Sequence, residues 1–124
     1  MDDIINDYKA CPIRNVVSRF GDKWSLVVLF LLGRNETGVM RFNEIRHFMT
    51  DCSQKMLSQT LKKLEQNHLV HREVFPEVPP RVEYSLTATG LSLMPPLSAL
   101  IDWGKDHFDE IVNEGEEEIT AASE

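Results

Sequence analysis

Apolar residues recur along the chain with two different periods, and the change of period marks out its elements. Ile13, Val16, Val17 and Phe20 share one helical face. That spacing predicts a first helix over 12–20, opened by Pro12 and ended by Gly21. Asp22 is placed to cap a second helix over 23–32, apolar almost all round and stopped by Gly33. A turn at 35–38 and a very short strand at 39–41 follow. A third helix over 42–49 is expected to turn Phe42, Ile45, Phe48 and Met49 inward. Ser53 is a natural N-cap for the next helix, 54–67, whose Leu57, Leu61 and Leu64 form a core stripe. The period then shortens to two. Segments 69–75 and 82–86 alternate in β fashion around the loop 76–81, which holds Pro76, Pro79 and Pro80. This predicts a hairpin whose prolines stiffen its tip and block edge pairing. Thr87 caps a last helical region that Pro95 and Pro96 should kink or restart. Beyond them Leu97, Leu100, Ile101, Gly104, Phe108, Ile111 and Val112 make a long apolar stripe, with Trp103 beside it. The order predicts a mainly α fold with a β-hairpin wing, a winged helix-turn-helix. Residues 1–11 read as an N-terminal arm, 12–113 as the domain, and 114–124 as an acidic tail expected to be disordered.

Composition narrows the class. The 124 residues are 42% hydrophobic and 27% charged, as in a soluble globular domain large enough to need neither disulfides nor metal staples. The start, Met1-Asp2-Asp3, lacks the basic-then-apolar pattern of a signal peptide, and the longest apolar run, 26–32, is too short to span a bilayer. A cytoplasmic protein with no membrane association is therefore expected, with Cys11 and Cys52 as thiols. The net charge of −7 argues against a nucleic-acid partner until its layout is considered. Residues 9–100 carry twelve Lys or Arg against eight acids, while 101–124 carry nine acids against Lys105. The local field, not the net charge, decides whether a face attracts phosphate.

The chemistry sits on the helix at 54–67. Opposite its leucine stripe lie Lys55, Gln59, Lys62 and Gln66, flanked by Ser58 and Lys63. Lys neutralises phosphate or reads guanine, and Gln can pair bidentately with adenine. A lysine-bearing polar face is often merely solvated. Here it is the second helix of a helix-turn-helix pair, followed directly by a wing, and that context favours double-stranded DNA. Ser53, Gln54, Lys55, Ser58, Gln59 and Lys62 are the expected recognition-helix contacts. Arg41, Arg72 and Arg81 are the expected backbone and wing contacts.

These same residues resemble the HxlR-type regulators of the MarR-like winged-helix superfamily. The resemblance rests on Cys11-Pro12-Ile13, Gly21-Asp22-Lys23-Trp24-Ser25-Leu26, Arg41-Phe42-Asn43-Glu44-Ile45, the run from Ser53 to Leu61, Leu69-Val70-His71-Arg72, the run from Pro79 to Thr87, Gly90 and Trp103-Gly104. It implies a homodimeric transcriptional regulator that dimerises through its N- and C-terminal helices and reads DNA with the helix beginning at Ser53. Two departures stand out. Cys52 replaces the usual aliphatic residue before the N-cap, and Asn67-His68 replaces an acidic residue and Gly. Asn67 tolerates the left-handed conformation that a C-cap needs, so neither change threatens the fold.

The resemblance also implies that a cysteine at the Cys11 position serves as an oxidant sensor in some members. A helix N-terminus beside Lys9 and Arg14 would favour the thiolate of Cys11. Against this, a cysteine in a small domain is most often an apolar filler. Cys11 and Cys52 are thus candidate redox residues, and a bridge between them is open. His47, His68, His71 and His107 show no tight ligand spacing, so no metal and no cofactor are expected. No phosphate loop or catalytic triad can be assembled, which argues against an enzyme. The small-molecule effector, if there is one, is unspecified. The rival reading is a winged-helix module for protein–protein contact without sequence-specific DNA binding.

Overall fold

The computed structural model describes residues 8–114. The first seven residues, part of the expected arm, and 115–124, which hold most of the expected acidic tail, lie outside the described residues. The chain falls into two compact units that divide between Ser92 and Leu93.

The first unit opens with a 3-10 turn at Tyr8–Ala10, a one-turn helix α1 (Pro12–Asn15) and a second 3-10 turn at Val17–Arg19. The continuous helix expected over 12–20 is therefore broken, and Ile13, Val16 and Val17 are exposed. Side chains there bond back to the main chain, a pattern that weakens and bends helices. Asn15 Nδ2 donates to the Cys11 carbonyl at 3.2 Å, and Ser18 Oγ donates to the Arg14 carbonyl. Helix α2 (Lys23–Arg34) is capped as expected, Asp22 Oδ2 accepting from the Ser25 amide at 3.1 Å. It runs through Gly33, contrary to expectation, because the stop lies two residues later. There Asn35 Oδ1 accepts from the Thr37 amide at 3.1 Å, and Gly38 takes φ +73° to turn the chain into β1 (Val39–Met40).

Helix α3 (Phe42–Phe48) begins with Glu44 Oε1 accepting from the Arg41 amide at 3.1 Å. Ile45 and Met49 point inward, but Phe48 does not and is 64% exposed. A step of 100° per residue puts Met49 about 40° and Phe48 about 60° to either side of Ile45, and Met49 takes the core place. After a short turn, α4 (Gln54–Gln66) is capped by Ser53 Oγ accepting from the Met56 amide at 3.0 Å. Strands β2 (Val70–Phe75) and β3 (Arg81–Leu86) form the hairpin, with Val70 opposite Leu86 and Phe75 opposite Arg81. β1 adds to the other side of β3, giving an antiparallel sheet in the order β1-β3-β2. The core joins Val28, Leu29 and Leu32 of α2 to Met40, Ile45, Leu57, Leu61, Leu64 and Val70, all 2% exposed or less. A short α5 (Ala88–Ser92) follows, its start capped by Thr87 Oγ1, which accepts from the Gly90 amide at 3.0 Å.

The second unit holds α6 (Met94–Asp106), where Pro95 and Pro96 sit in the first turn and restart the helix, and a π-helical segment at Asp109–Glu114. Leu100, Trp103, Phe108 and Ile111 of its apolar stripe are exposed.

Candidate nucleic-acid interface

Helix α4 follows α3 across the turn at 49–53, so the two form a helix-turn-helix pair with the hairpin next in the chain. Leu57, Leu61 and Leu64 are buried, together with Thr60, whose hydroxyl donates to the Met56 carbonyl at 2.8 Å. That rotation turns Lys55, Ser58, Gln59, Lys62 and Gln66 outward, all exposed, with Gln54 exposed at the first turn. Ser53 is exposed as well. Its oxygen serves the cap, and its hydroxyl hydrogen remains a donor.

The outward face continues onto the sheet. Ser58, Leu61, Lys62 and Glu65 of α4 line one cleft of about 280 Å³ together with Arg72 of β2 and Tyr84 of β3. Arg72 and Tyr84 are direct partners across the hairpin. The cleft thus brings Lys62 and Arg72 to one surface, two cations that are 10 residues apart in sequence and make no ion pair among the described residues. Tyr84 was not anticipated as part of it. Its alternation within 82–86 marked it only as a strand residue.

A second cleft, of about 540 Å³, lies at the start of α4, where Arg46, Thr50, Ser53 and Gln54 line it together with Asp51 and the buried Met49 and Cys52. Arg46, in the last turn of α3, was not anticipated beside these residues.

The remaining two arginines differ. Arg41 is exposed just ahead of α3. Arg81 lies at the base of the wing loop, its guanidinium 4.1 Å over the Phe75 ring and ion-paired to Glu77 at 3.5 Å and Glu83 at 3.6 Å. The two carboxylates offset the charge that Arg81 could offer a phosphate. Its pairing also has a structural purpose, since Glu73 and Glu83 stand directly opposite each other across the hairpin.

Both cysteines are free and buried. Burial, then the charge of Asp51, pushes the Cys52 thiol up, and Lys23 opposes this. Cys11 stands at the N-cap position of a helix of a single turn, not the longer one expected, and its side chain makes no cap hydrogen bond. Asp22 shows the opposite balance. Partial burial pushes its carboxyl up, but hydrogen bonds from Lys63 and Ser25, with the Lys63 charge, outweigh that and hold it down at about 2. Among the described residues no group of three or more His, Cys, Asp or Glu is placed to hold a metal ion, and no helix is long and apolar enough to cross a membrane.

A helix-turn-helix with an exposed Lys/Gln face and a hairpin wing defines the winged-helix class of DNA-binding regulators. The HxlR-like helix-turn-helix family matches residues 19–112, and the chain belongs to it. An HTH-type transcriptional regulator of Methanothermobacter thermautotrophicus is 44% identical over 115 residues, 93% of this chain and 86% of that protein. Among solved structures, the redox regulator HypR in its oxidised form is similar at a TM-score of 0.70 and 38% identity, covering 77% of this chain and 96% of HypR. The reduced form of the transcriptional regulator YodB from Bacillus subtilis is similar at 0.65 and 36% identity, covering 77% of this chain and 89% of YodB. The protein is a DNA-binding transcriptional regulator of the HxlR and MarR-like type, and that family is not enzymatic.

Proposed function

We propose that the protein is a homodimeric, sequence-specific regulator of transcription in the cytoplasm, that α4 is its recognition helix and the β2–β3 hairpin its wing, and that thiol oxidation is its signal. The observation that carries the DNA reading is the cleft in which Ser58 and Lys62 of α4 meet Arg72 of the wing strand. Gln54, Lys55, Ser58 and Gln59 supply base-edge and positioning contacts, and Ser53 a phosphate contact at the helix start. Lys62, Arg41, Arg72 and Arg81 supply backbone contacts. A homodimer presents two copies of α4 to a roughly palindromic operator whose half-sites lie about one helical turn apart, or a multiple of that. Gln59→Ala relaxes sequence preference, whereas Lys62→Ala weakens binding to every sequence and lowers the salt slope by about one unit.

The thiol reading is supported by two free cysteines and by the similarity to HypR, itself described as a redox regulator. Cys11 is the proposed sensor and Cys52 the candidate second thiol.

A pull-down of genomic fragments with reduced protein, repeated after mild oxidation, tests both parts. Enrichment of a palindrome-bearing promoter that changes on oxidation, and no longer changes in Cys11→Ser, is the expected result. Enrichment that oxidation leaves unchanged removes the thiol signal alone. No enrichment in either state removes the DNA reading and favours a protein-interaction module.

A further inference from the structure

A short polar run at the start of α2 meets α4 and both of its flanks. Lys23 Nζ lies 3.7 Å from Asp51 Oδ2 in the turn before α4. Asp22 Oδ1 accepts from Lys63 Nζ in the third turn of α4. Arg19 Nη1 donates to Asn67 Oδ1 at 3.3 Å, at the helix C-cap. The run is itself anchored. Asp22 Oδ2 caps α2 through the Ser25 amide, and Arg19 Nε donates to the Asn15 carbonyl at 2.7 Å. One carboxylate therefore ties the start of α2 to the flank of α4.

We propose that residues 19–23 are a latch that fixes the orientation of α4 on the domain, and that Lys63 is a positioning residue, not a DNA ligand. The inference rests on α4 being the recognition helix. Lys62 and Lys63 are neighbours in sequence with opposite tasks. Lys62 is exposed in the cleft with Arg72, whereas Lys63 is half-buried and its charge is met by Asp22. A cation already neutralised within the protein displaces no counterion from DNA, so Lys63 should not enter the salt dependence. An ion pair this exposed contributes little to stability, which leaves geometry as its main effect. Bidentate reading of a base edge tolerates little rotation of the helix that presents it. The Asp22 carboxylate is held down at about 2, so the latch stays charged throughout the physiological range.

A double-mutant cycle on the full chain tests this with Asp22→Asn, Lys63→Gln and the pair. Asn keeps the helix cap and Gln keeps the stem length, and urea midpoints show that each variant is folded. The probe is the duplex sequence that the wild-type chain selects from a random-sequence pool, compared with a scrambled duplex. Each single variant is expected to bind the selected duplex about threefold more weakly, the scale of an exposed pair. It should discriminate less well against the scrambled duplex, and the double variant should be no weaker than either single. The salt slope should stay at its wild-type value. A slope lowered by about one unit in Lys63→Gln would make Lys63 a phosphate ligand and overturn the latch. Additive losses, or no loss, would overturn it too. If Lys62→Gln also leaves slope and affinity untouched, or the wild type selects no sequence, the recognition-helix reading fails and takes the latch with it.

Discussion

His68 shows how one side chain can run against its backbone. It sits at φ +62°, the left-handed region, just past the end of α4. Its amide bonds to the Glu65 carbonyl at 3.0 Å and the Leu69 amide to the Leu64 carbonyl at 3.0 Å, the paired bonds of a Schellman stop. The left-handed residue is thus His68, not Asn67 as the sequence suggested; Asn67 keeps φ −92° and uses its side chain to donate to the Lys63 carbonyl. A left-handed β-carbon costs about 1–2 kcal/mol, and glycine returns about 0.5–1 kcal/mol of that as unfolded-state entropy. His68→Gly should therefore stabilise the fold by up to about 1 kcal/mol in urea titration, and a loss of stability would refute the assignment. Gly90 poses the opposite problem. A β-carbon there would lie 2.3 Å from the Leu69 carbonyl oxygen, which is backbone that also accepts from the Thr87 amide. Gly90→Ala should cost about 1–3 kcal/mol by the same titration.

The elements that the sequence exposed most clearly are those whose cause is local. Leu57, Leu61 and Leu64 declare the buried face of α4, and Ser53 its start, because both signals lie within one or two turns. The outward residues Lys55, Gln59 and Lys62 follow by rotation alone. What stayed hidden needed partners distant in sequence or side chains that divert the backbone. The 12–20 segment has helical spacing, yet Asn15 and Ser18 turn back on the main chain and its β-branched residues add little helix preference. The Arg81 pairs with Glu77 and Glu83, and the Asp22–Lys63 tie across 41 residues, depend on the folded geometry. That tie has a pH signature. The folded carboxyl of Asp22 lies below its ordinary 3.8, so its stabilisation is complete above that value and is lost as pH falls toward about 2. Asp22→Asn should lower the urea midpoint at pH 7 only slightly and flatten its decline between about pH 4 and 2. An unchanged acid slope would mean that Asp22 carries no such linkage. Because the pair is more than a third exposed, salt should shrink the effect.

Each unit leaves large apolar side chains that it does not cover. Tyr8, Ile13, Val16 and Val17 are exposed in the first unit, and Leu100, Trp103, Phe108 and Ile111 in the second. Isolated exposed hydrophobes need no explanation, but large ones gathered at the two ends of the domain suit an interface. The proposed homodimer gives both runs a partner at the N- and C-terminal elements, and none of these side chains lines the cleft that holds Lys62 and Arg72. Binding then gains from valency, since the first recognition helix to dock holds the second at high local concentration over its half-site. Wild-type protein at micromolar concentration should sediment at twice the mass of the chain. Ile13→Asp and Leu100→Asp should each shift it toward monomer and weaken operator binding by about a hundredfold, with the helical circular dichroism of the fold retained. A single half-site should be bound equally well by wild type and variants, because the contacts of one α4 are unchanged. A wild-type monomer, or a monomeric variant that keeps full operator affinity, would separate DNA reading from dimerisation and leave the two apolar runs to a different partner.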